Sequence, residues 1–293
     1  MNPKSMIMGL VFVALWSSAF TSAKIIVEYA PPLLALAVRF FLTGLIGLTI
    51  SRIFFTKIGL NRLEWLSLIG FGICQNSIYL GLNFVAMGNI DAFLAVIIAS
   101  LLPIFVALIS WVTRIEKIGF LGIVGMLCGL IGCWIILSQK ILILSNLIGI
   151  ILCLIGALAL ALATLLVRNT ISQKSQLLRI VSLQMLVGGF PLILISFIME
   201  PWDVQFSTPF VLAFLYTCFF PGLIATIIWF NLVRKEGVIR ASSFHFLNPP
   251  MGVLIAALVL AETITTNDIL GIITLMLAII LIQISKVTKN LKI

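Results

Sequence analysis

Apolar runs of about twenty residues follow one another along nearly the whole chain, and charges fall almost only in the gaps between them. A run of roughly 18 or more apolar residues is long enough to cross the hydrocarbon of a bilayer as a helix. No water is available there, so each backbone polar group must be satisfied inside its own helix or in a closed barrel. The runs lack the alternating pattern of a membrane barrel. Of 293 residues, 62% are hydrophobic and only 9% charged, too few to coat a water-soluble surface of this size. The expected class is an all-α integral membrane protein.

Reading helices between the charge clusters gives ten spans. They cover approximately residues 5–23, 32–51, 64–86, 91–112, 118–137, 146–167, 177–198, 209–232, 239–260 and 267–285. The connections leave no room for a soluble domain. Fifteen of the 18 Lys and Arg then fall on one side: Lys4, Arg52, Lys57, Arg62, Arg114, Lys117, Arg168, Lys174, Arg179, Arg234, Lys235, Arg240, Lys286, Lys289 and Lys292. The other side holds Lys24 and Lys140, and Arg39 lies within the second span. Cytoplasmic connections carry the excess of Lys and Arg, so both termini are expected in the cytoplasm and the membrane is the cell's inner one. The net charge of +9 is then a cytoplasmic rim beside the lipid, and no nucleic-acid partner is needed to explain it.

Lys4 followed by the apolar run Met6–Ala23 has the look of a signal peptide. The first span has a counterpart in the second half, which counts against cleavage. The five cysteines all lie in apolar runs without a CxxC pair or Cys/His cluster, so they read as reduced, small hydrophobic residues.

The two halves match at an offset of 146: Ala95 over Ala241, Pro103 over Pro249, Glu116 over Glu262, Gly125 over Gly271. At 145, Arg39 lies over Gln184 and Gly44 over Gly189. The chain therefore divides into a first repeat, 1–140, and a second, 141–293. Five spans per repeat is an odd number, so the second repeat enters the membrane in the opposite sense. Inverted repeats are a recurrent transporter architecture, because two similar halves can rock around one central site.

The segments Trp16–Ile26 (WSSAFTSAKII) and Pro31–Phe40 (PPLLALAVRF), with the proline-and-glutamate blocks of spans 4–5 and 9–10, resemble the EamA family of the drug/metabolite transporter superfamily. The likeness covers nearly the whole chain. It implies ten helices in inverted repeats around a cavity lined mainly by spans 1, 3, 4, 6, 8 and 9. It also implies transport of amino acids or related small metabolites, often export.

Ionisable groups inside a membrane are costly and point to function. Arg39 in span 2 has two readings: a carboxylate-binding or gating cation, or a structural one paired with Glu28 or with helix-end carbonyls. The likeness puts span 2 at the periphery, which favours the structural reading. His245 is the one histidine and stands before the Pro249-Pro250 break. It reads either as a proton relay or substrate contact, or as an interhelical hydrogen-bonding group. Gln75, Tyr79 and Asn83 share a stripe of span 3, with Asn76 beside them. They form either a cavity wall or interhelical hydrogen bonds. Trp16 and Ser18 in span 1 and Trp229 in span 8 are weaker substrate-binding candidates, each with packing as the plainer reading. Pro103, Pro249 and Pro250 free backbone carbonyls and kink their helices, as paired hinges or as static bends. Gly122, Gly125, Gly129 and Gly132 make a small-residue face on span 5, for packing within the protomer or for a homodimer.

The nine Asp and Glu sit near span ends, so a buried carboxylate relay is missing. One histidine and no buried acids leave little for acid–base or metal chemistry, so neither an enzyme nor a cofactor is expected. The first reading is a transporter of amino acids or similar zwitterions, in the export direction. The alternatives are uptake or exchange of a larger metabolite, such as S-adenosylmethionine or a nucleotide derivative, and a non-transporting receptor or assembly protein.

Overall fold

The computed structural model describes residues 3–54, 59–90, 92–138, 147–170, 177–260 and 265–289. Lys57, Lys140, Lys174, Glu262 and Lys292 lie outside the described residues. The chain is nearly all helix: α1 (Pro3–Tyr29), α2 (Pro32–Phe54), α3 (Arg62–Met87), α4 (Ala92–Ala99), α5 (Leu102–Val112), α6 (Phe120–Ser138), α7 (Leu147–Thr170), α8 (Leu177–Met199), α9 (Thr208–Glu236), α10 (Val238–Ser242), α11 (Asn248–Leu260) and α12 (Thr266–Ile284). Among the described residues, eight helices are long and apolar enough to cross a membrane, α4 and α5 contributing one of them together. A ninth, within α6, is apolar but shorter. The outer faces carry bare apolar side chains: Phe197 is 75% and Ile198 82% exposed. In water that surface would aggregate; against lipid it is at home. The protein is a multi-pass membrane protein.

Local chemistry fixes several helix ends. Asn61 accepts from the Glu64 amide at 2.8 Å while Glu64 accepts from the Asn61 amide at 2.8 Å, a reciprocal box that starts α3. Thr265 and Asp268 start α12 in the same way. Lys24 donates to the carbonyls of Met87 at 2.7 Å and Ile90 at 3.3 Å, satisfying groups that the end of α3 leaves free. Glu200, at the end of α8, accepts from the amides of Leu33 and Leu34, each at 2.9 Å, and so holds the first turn of α2.

The helices depart from regular geometry in corresponding places of the two halves. α3 widens to a π-turn over Gly72–Leu80 and α9 over Cys218–Ile224. Pro221 sits inside the second and has no amide to donate, so a regular ladder cannot run through it. α4 and α5 break at Ser100–Leu101, and α10 and α11 are joined by a 3-10 turn, Ser243–Leu247. In both, the proline lies in the first turn of the following helix, where a missing amide costs least, so the break precedes Pro103 and the Pro249-Pro250 pair.

The packing has an exchange symmetry. α2 lies along α8 and α6 along α12; α1 packs on α9 and α11, as α7 packs on α3 and α5. Adding six to a helix number, or subtracting it, turns each pairing into another pairing of the set.

One two-stranded ribbon interrupts the all-helical expectation. β1 (Glu116–Ile118) pairs antiparallel with β2 (Val287–Lys289). It ties the α5–α6 connection to the end of α12. Glu116 is buried here and accepts from the amides of Val238 at 3.2 Å and Ile239 at 3.1 Å. α10 follows α9 after the single residue Gly237, whose φ of 88° turns the chain. Glu116 satisfies the amides which that abrupt start exposes. Arg240 Nη2 donates to the Ser285 carbonyl at 2.8 Å, and Gln283 Nε2 donates to the Arg240 carbonyl and Ser243 Oγ, both at 3.1 Å. These bonds latch α10 to α12.

The glycine face of α6 is taken up inside the protomer. A Cβ at Gly125 would lie 2.8 Å from the Ala278 carbonyl, and one at Gly132 2.7 Å from Leu275 Cγ. α12 packs on that face at Gly125 and Gly132, and the Phe246 ring covers Gly129. Gly125→Ala is expected to cost about 1–3 kcal/mol through overpacking, read as a lower Tm in detergent, whereas Gly88→Ala, with one contact at 3.4 Å, leaves Tm within a degree or so of wild type. Glu116→Ala is expected to lose about 1–2 kcal/mol by uncapping α10. An unchanged Tm in that variant would show that the cap is not needed.

Candidate functional site

A cavity opens among α1, α2, α3, α8 and α9. Trp16, Ala19, Phe20 and Ala23 face it from α1, at the spacing of one helical stripe. Gln75, Asn76, Tyr79, Leu80, Asn83, Phe84 and Met87 face it from α3. The π-turn brings neighbours such as Gln75 and Asn76 to the wall together. Arg39 and Phe40 come from α2, Met185 from α8, and Pro221 and Thr226 from α9. The likeness implied lining from spans 4, 6 and 9. Among the described residues the wall also draws on spans 2 and 7, through Arg39, Phe40 and Met185.

The polar wall is partly self-satisfied. Asn76 Nδ2 donates to the Gln184 carbonyl at 3.1 Å and to Gln184 Oε1. Asn83 Nδ2 donates to the Tyr79 carbonyl at 2.8 Å and its Oδ1 accepts from Cys153 at 3.4 Å. Two buried polar atoms on the wall have no partner: Gln75 Oε1 and Arg39 Nε. Such atoms are rare in native structures and call for an explanation. Arg39 is only 4% exposed and, among the described residues, has no carboxylate beside it; the expected pairing with Glu28 is not formed. Its nearest aromatic contact is the Phe40 ring, 5.3 Å from Cζ to centroid.

His245 stands one ring away from the cavity. It sits among Phe12, Trp16 and Trp229, at 5.4, 5.8 and 5.3 Å between ring centroids. Trp16 separates it from the cavity and stacks on Tyr79 at 6.2 Å. Asn248 Nδ2 donates to His245 Nδ1 at 3.1 Å and Asn248 Oδ1 accepts from Ser17 at 3.2 Å, which leaves the ring proton on Nε2. Trp229 stacks on Phe12 at 4.9 Å and does not line the cavity. The four rings form a plug below the cavity, towards the N-terminus of α1. Ser18 turns to α9 and shares a hydrogen bond with Tyr216 Oη at 2.6 Å, and Ser22 accepts from Thr217 at 2.8 Å. These serines hold α1 to α9. Pro103, Pro249 and Pro250 stand at the helix breaks and away from the wall. No group of His, Cys, Asp and Glu that could hold a metal occurs among the described residues.

Sequence reasoning passed over Phe20, Met185, Pro221 and Thr226. Only Pro221 carries a signal, a proline inside an otherwise helical run that its α3 counterpart lacks.

The cavity measures ≈ 30 Å³, room for about two water molecules. An amino acid enters only if the walls part.

The sequence profile of the EamA-like transporter family matches the chain twice, over residues 3–138 and 147–284. The chain is 23% identical over 272 residues to the uncharacterised transporter YvbV of Bacillus subtilis, spanning 92% of this chain and 88% of that one. It is 26% identical over 279 residues to an uncharacterised transporter of Archaeoglobus fulgidus, spanning 92% and 94%. It is also 25% identical over 285 residues to the uncharacterised inner membrane transporter YedA of Escherichia coli, spanning 93% and 88%. A protein of known crystal structure superposes with a TM-score of 0.76 at 17% identity, over 96% of this chain and 98% of the other, which fixes the likeness of fold. Family and relatives point to transport rather than catalysis. With two consecutive matches that together span most of its length, the chain belongs to the EamA-like transporter family.

Proposed function

We propose that this protein moves amino acids or related zwitterions across the inner membrane by alternating access, as ten spans in two inverted halves, 1–140 and 141–293. The observation that carries this reading is the cavity lined from both halves, with polar atoms on an otherwise apolar wall. A polar wall deep in the membrane serves a polar occupant. The exchange symmetry of the helix pairings, with paired π-turns and paired breaks, supports the inverted repeat. Two equivalent halves give two equivalent ways of closing around one site.

The excess of Lys and Arg on one side supports a reading with both termini in the cytoplasm. On that orientation the ring plug and the α10–α12 latch close the cytoplasmic end. Export is the direction we assign, on the family likeness alone. Among the described residues Arg39 is the one cation on the wall, which counts against a nucleotide as substrate, since several phosphates would call for several.

Two outcomes are expected. Purified protein in proteoliposomes shows saturable accelerated counterflow of at least one labelled L-amino acid; folded protein with no counterflow of any amino acid contradicts the proposal. Replacing both Pro103 and Pro249 by alanine lowers the counterflow rate at least tenfold while the binding affinity changes less than threefold, because the breaks act in the movement and not on the wall. Equal losses in rate and affinity would remove the hinge role.

A further inference from the structure

The chain builds the same helix contact twice and completes it once. At an offset of 145 Arg39 corresponds to Gln184, and at 146 Asn76 corresponds to Gly222. In one copy Gln184 on α8 meets Asn76 in the π-turn of α3, and the two amides are hydrogen-bonded. In the other copy Arg39 on α2 meets Gly222 in the π-turn of α9; a Cβ built there would lie 3.2 Å from Arg39 Nη2. The residue that would answer Arg39 has no side chain. The neutral amide pair of one half is replaced by a guanidinium beside a glycine, on the cavity wall.

We propose that Arg39 and Gly222 form the carboxylate subsite of the cavity, and that Gln75 Oε1 receives the ammonium group of the same substrate. This rests on the reading that the cavity is the substrate site, and it narrows the substrate to molecules with a free carboxylate and a protonated amine. A buried, unpaired charge is among the most costly things a fold can hold. Arg39 is such a charge: 96% of its surface is covered, it lines the cavity, its Nε has no partner, and no carboxylate of the described residues stands beside it. A guanidinium presents a planar fork that matches a carboxylate. Gln75 is a buried amide on the same wall whose oxygen has no donor. The guanidinium is opposite in charge to a carboxylate, and the neutral amide oxygen offers an ammonium a hydrogen-bond acceptor. An amine without a carboxylate meets the guanidinium with like charge and is rejected.

The test uses purified full-length protein with L-leucine, L-methionine, L-threonine and L-phenylalanine, each paired with its carboxamide, in direct binding and in counterflow. The wild type is expected to bind at least one acid ten or more times more tightly than its amide. Arg39→Gln, which installs the side chain the other half uses at the equivalent place, is expected to abolish that ratio by weakening the acid alone. With no ligand added it should melt at or above the wild-type temperature, because it removes an uncompensated buried charge. Arg52→Gln, on the same helix but exposed, should change neither reading. Gln75→Leu should weaken the amino acid while leaving 4-methylpentanoate, which has no amine, unaffected.

An acid-to-amide ratio that persists in Arg39→Gln overturns the proposal. So does a lower melting temperature or failure to fold in that variant, which would make Arg39 a structural group. A wild type that binds acid and amide equally, or binds neither, overturns it without any variant. The two readings fail separately: acid-selective binding without flux removes transport and leaves the subsite, and flux with equal acid and amide removes the subsite and leaves transport.

Discussion

In a bilayer the backbone has nowhere to send its hydrogen bonds except along its own helix, and this limit organises the molecule. A helix that departs from regular geometry frees amides and carbonyls, and lipid cannot answer them. Among the described residues the chain departs at the π-turns of α3 and α9 and at the breaks before Pro103 and Pro249, and Pro191 removes an amide inside α8. Much of this backbone is turned inward. Ser100 and the whole 3-10 turn Ser243–Leu247 are buried, as are Gln75, Asn76 and Tyr79 in the first π-turn and Pro221 in the second. Irregular backbone collects where protein surrounds it, and among the described residues the cavity described above lies beside it.

The polar groups divide by how they are answered. Ser18, Ser22, Asn76 and Asn83 are each bonded to a neighbouring helix or to their own, and such bonds contribute modestly, about 1 kcal/mol or less apiece. Glu116 and Glu200 act at greater range, each gathering the first amides of another helix and so fixing how two helices meet end to end. Arg39 and Gln75 belong to neither group. Their unanswered atoms lower stability in the state described; buried atoms of Gln184, Trp229, Arg240 and Gln283, which do not line the cavity, are unanswered too.

How far the sequence reveals this depends on the reach of each interaction. The membrane class follows from run length alone. The α3 stripe is visible because polar residues on an apolar helix must turn inward, and Gln75, Asn76, Tyr79 and Asn83 all line the cavity. The π-turn beneath them is not visible, since no residue type specifies it in α3. Arg39 stands out by its charge, but its direction is hidden by the expectation that span 2 is peripheral; the repeat offset, which sets it over Gln184, holds the better clue. His245 marks the broken helix correctly, and nothing local tells that the Trp16 ring comes between it and the cavity. Glu116 is noticed through the repeat, while its partner amides lie 122 residues away. The three-residue ribbon at Glu116–Ile118 is too short to give any pattern.

The account's central claim is that two similar halves close alternately around one site. Its most direct test is side-specific thiol labelling. Single cysteines at Ala23 and Met87, on the wall beyond the plug, and at Phe12, within the plug, would be treated with a membrane-impermeant reagent in right-side-out and inside-out vesicles, with and without a transported amino acid. The account predicts reciprocal protection: conditions that open Ala23 and Met87 to one side close Phe12 to the other, and the amino acid shifts the balance. Labelling from the same side under every condition, with no response to the amino acid, would contradict it.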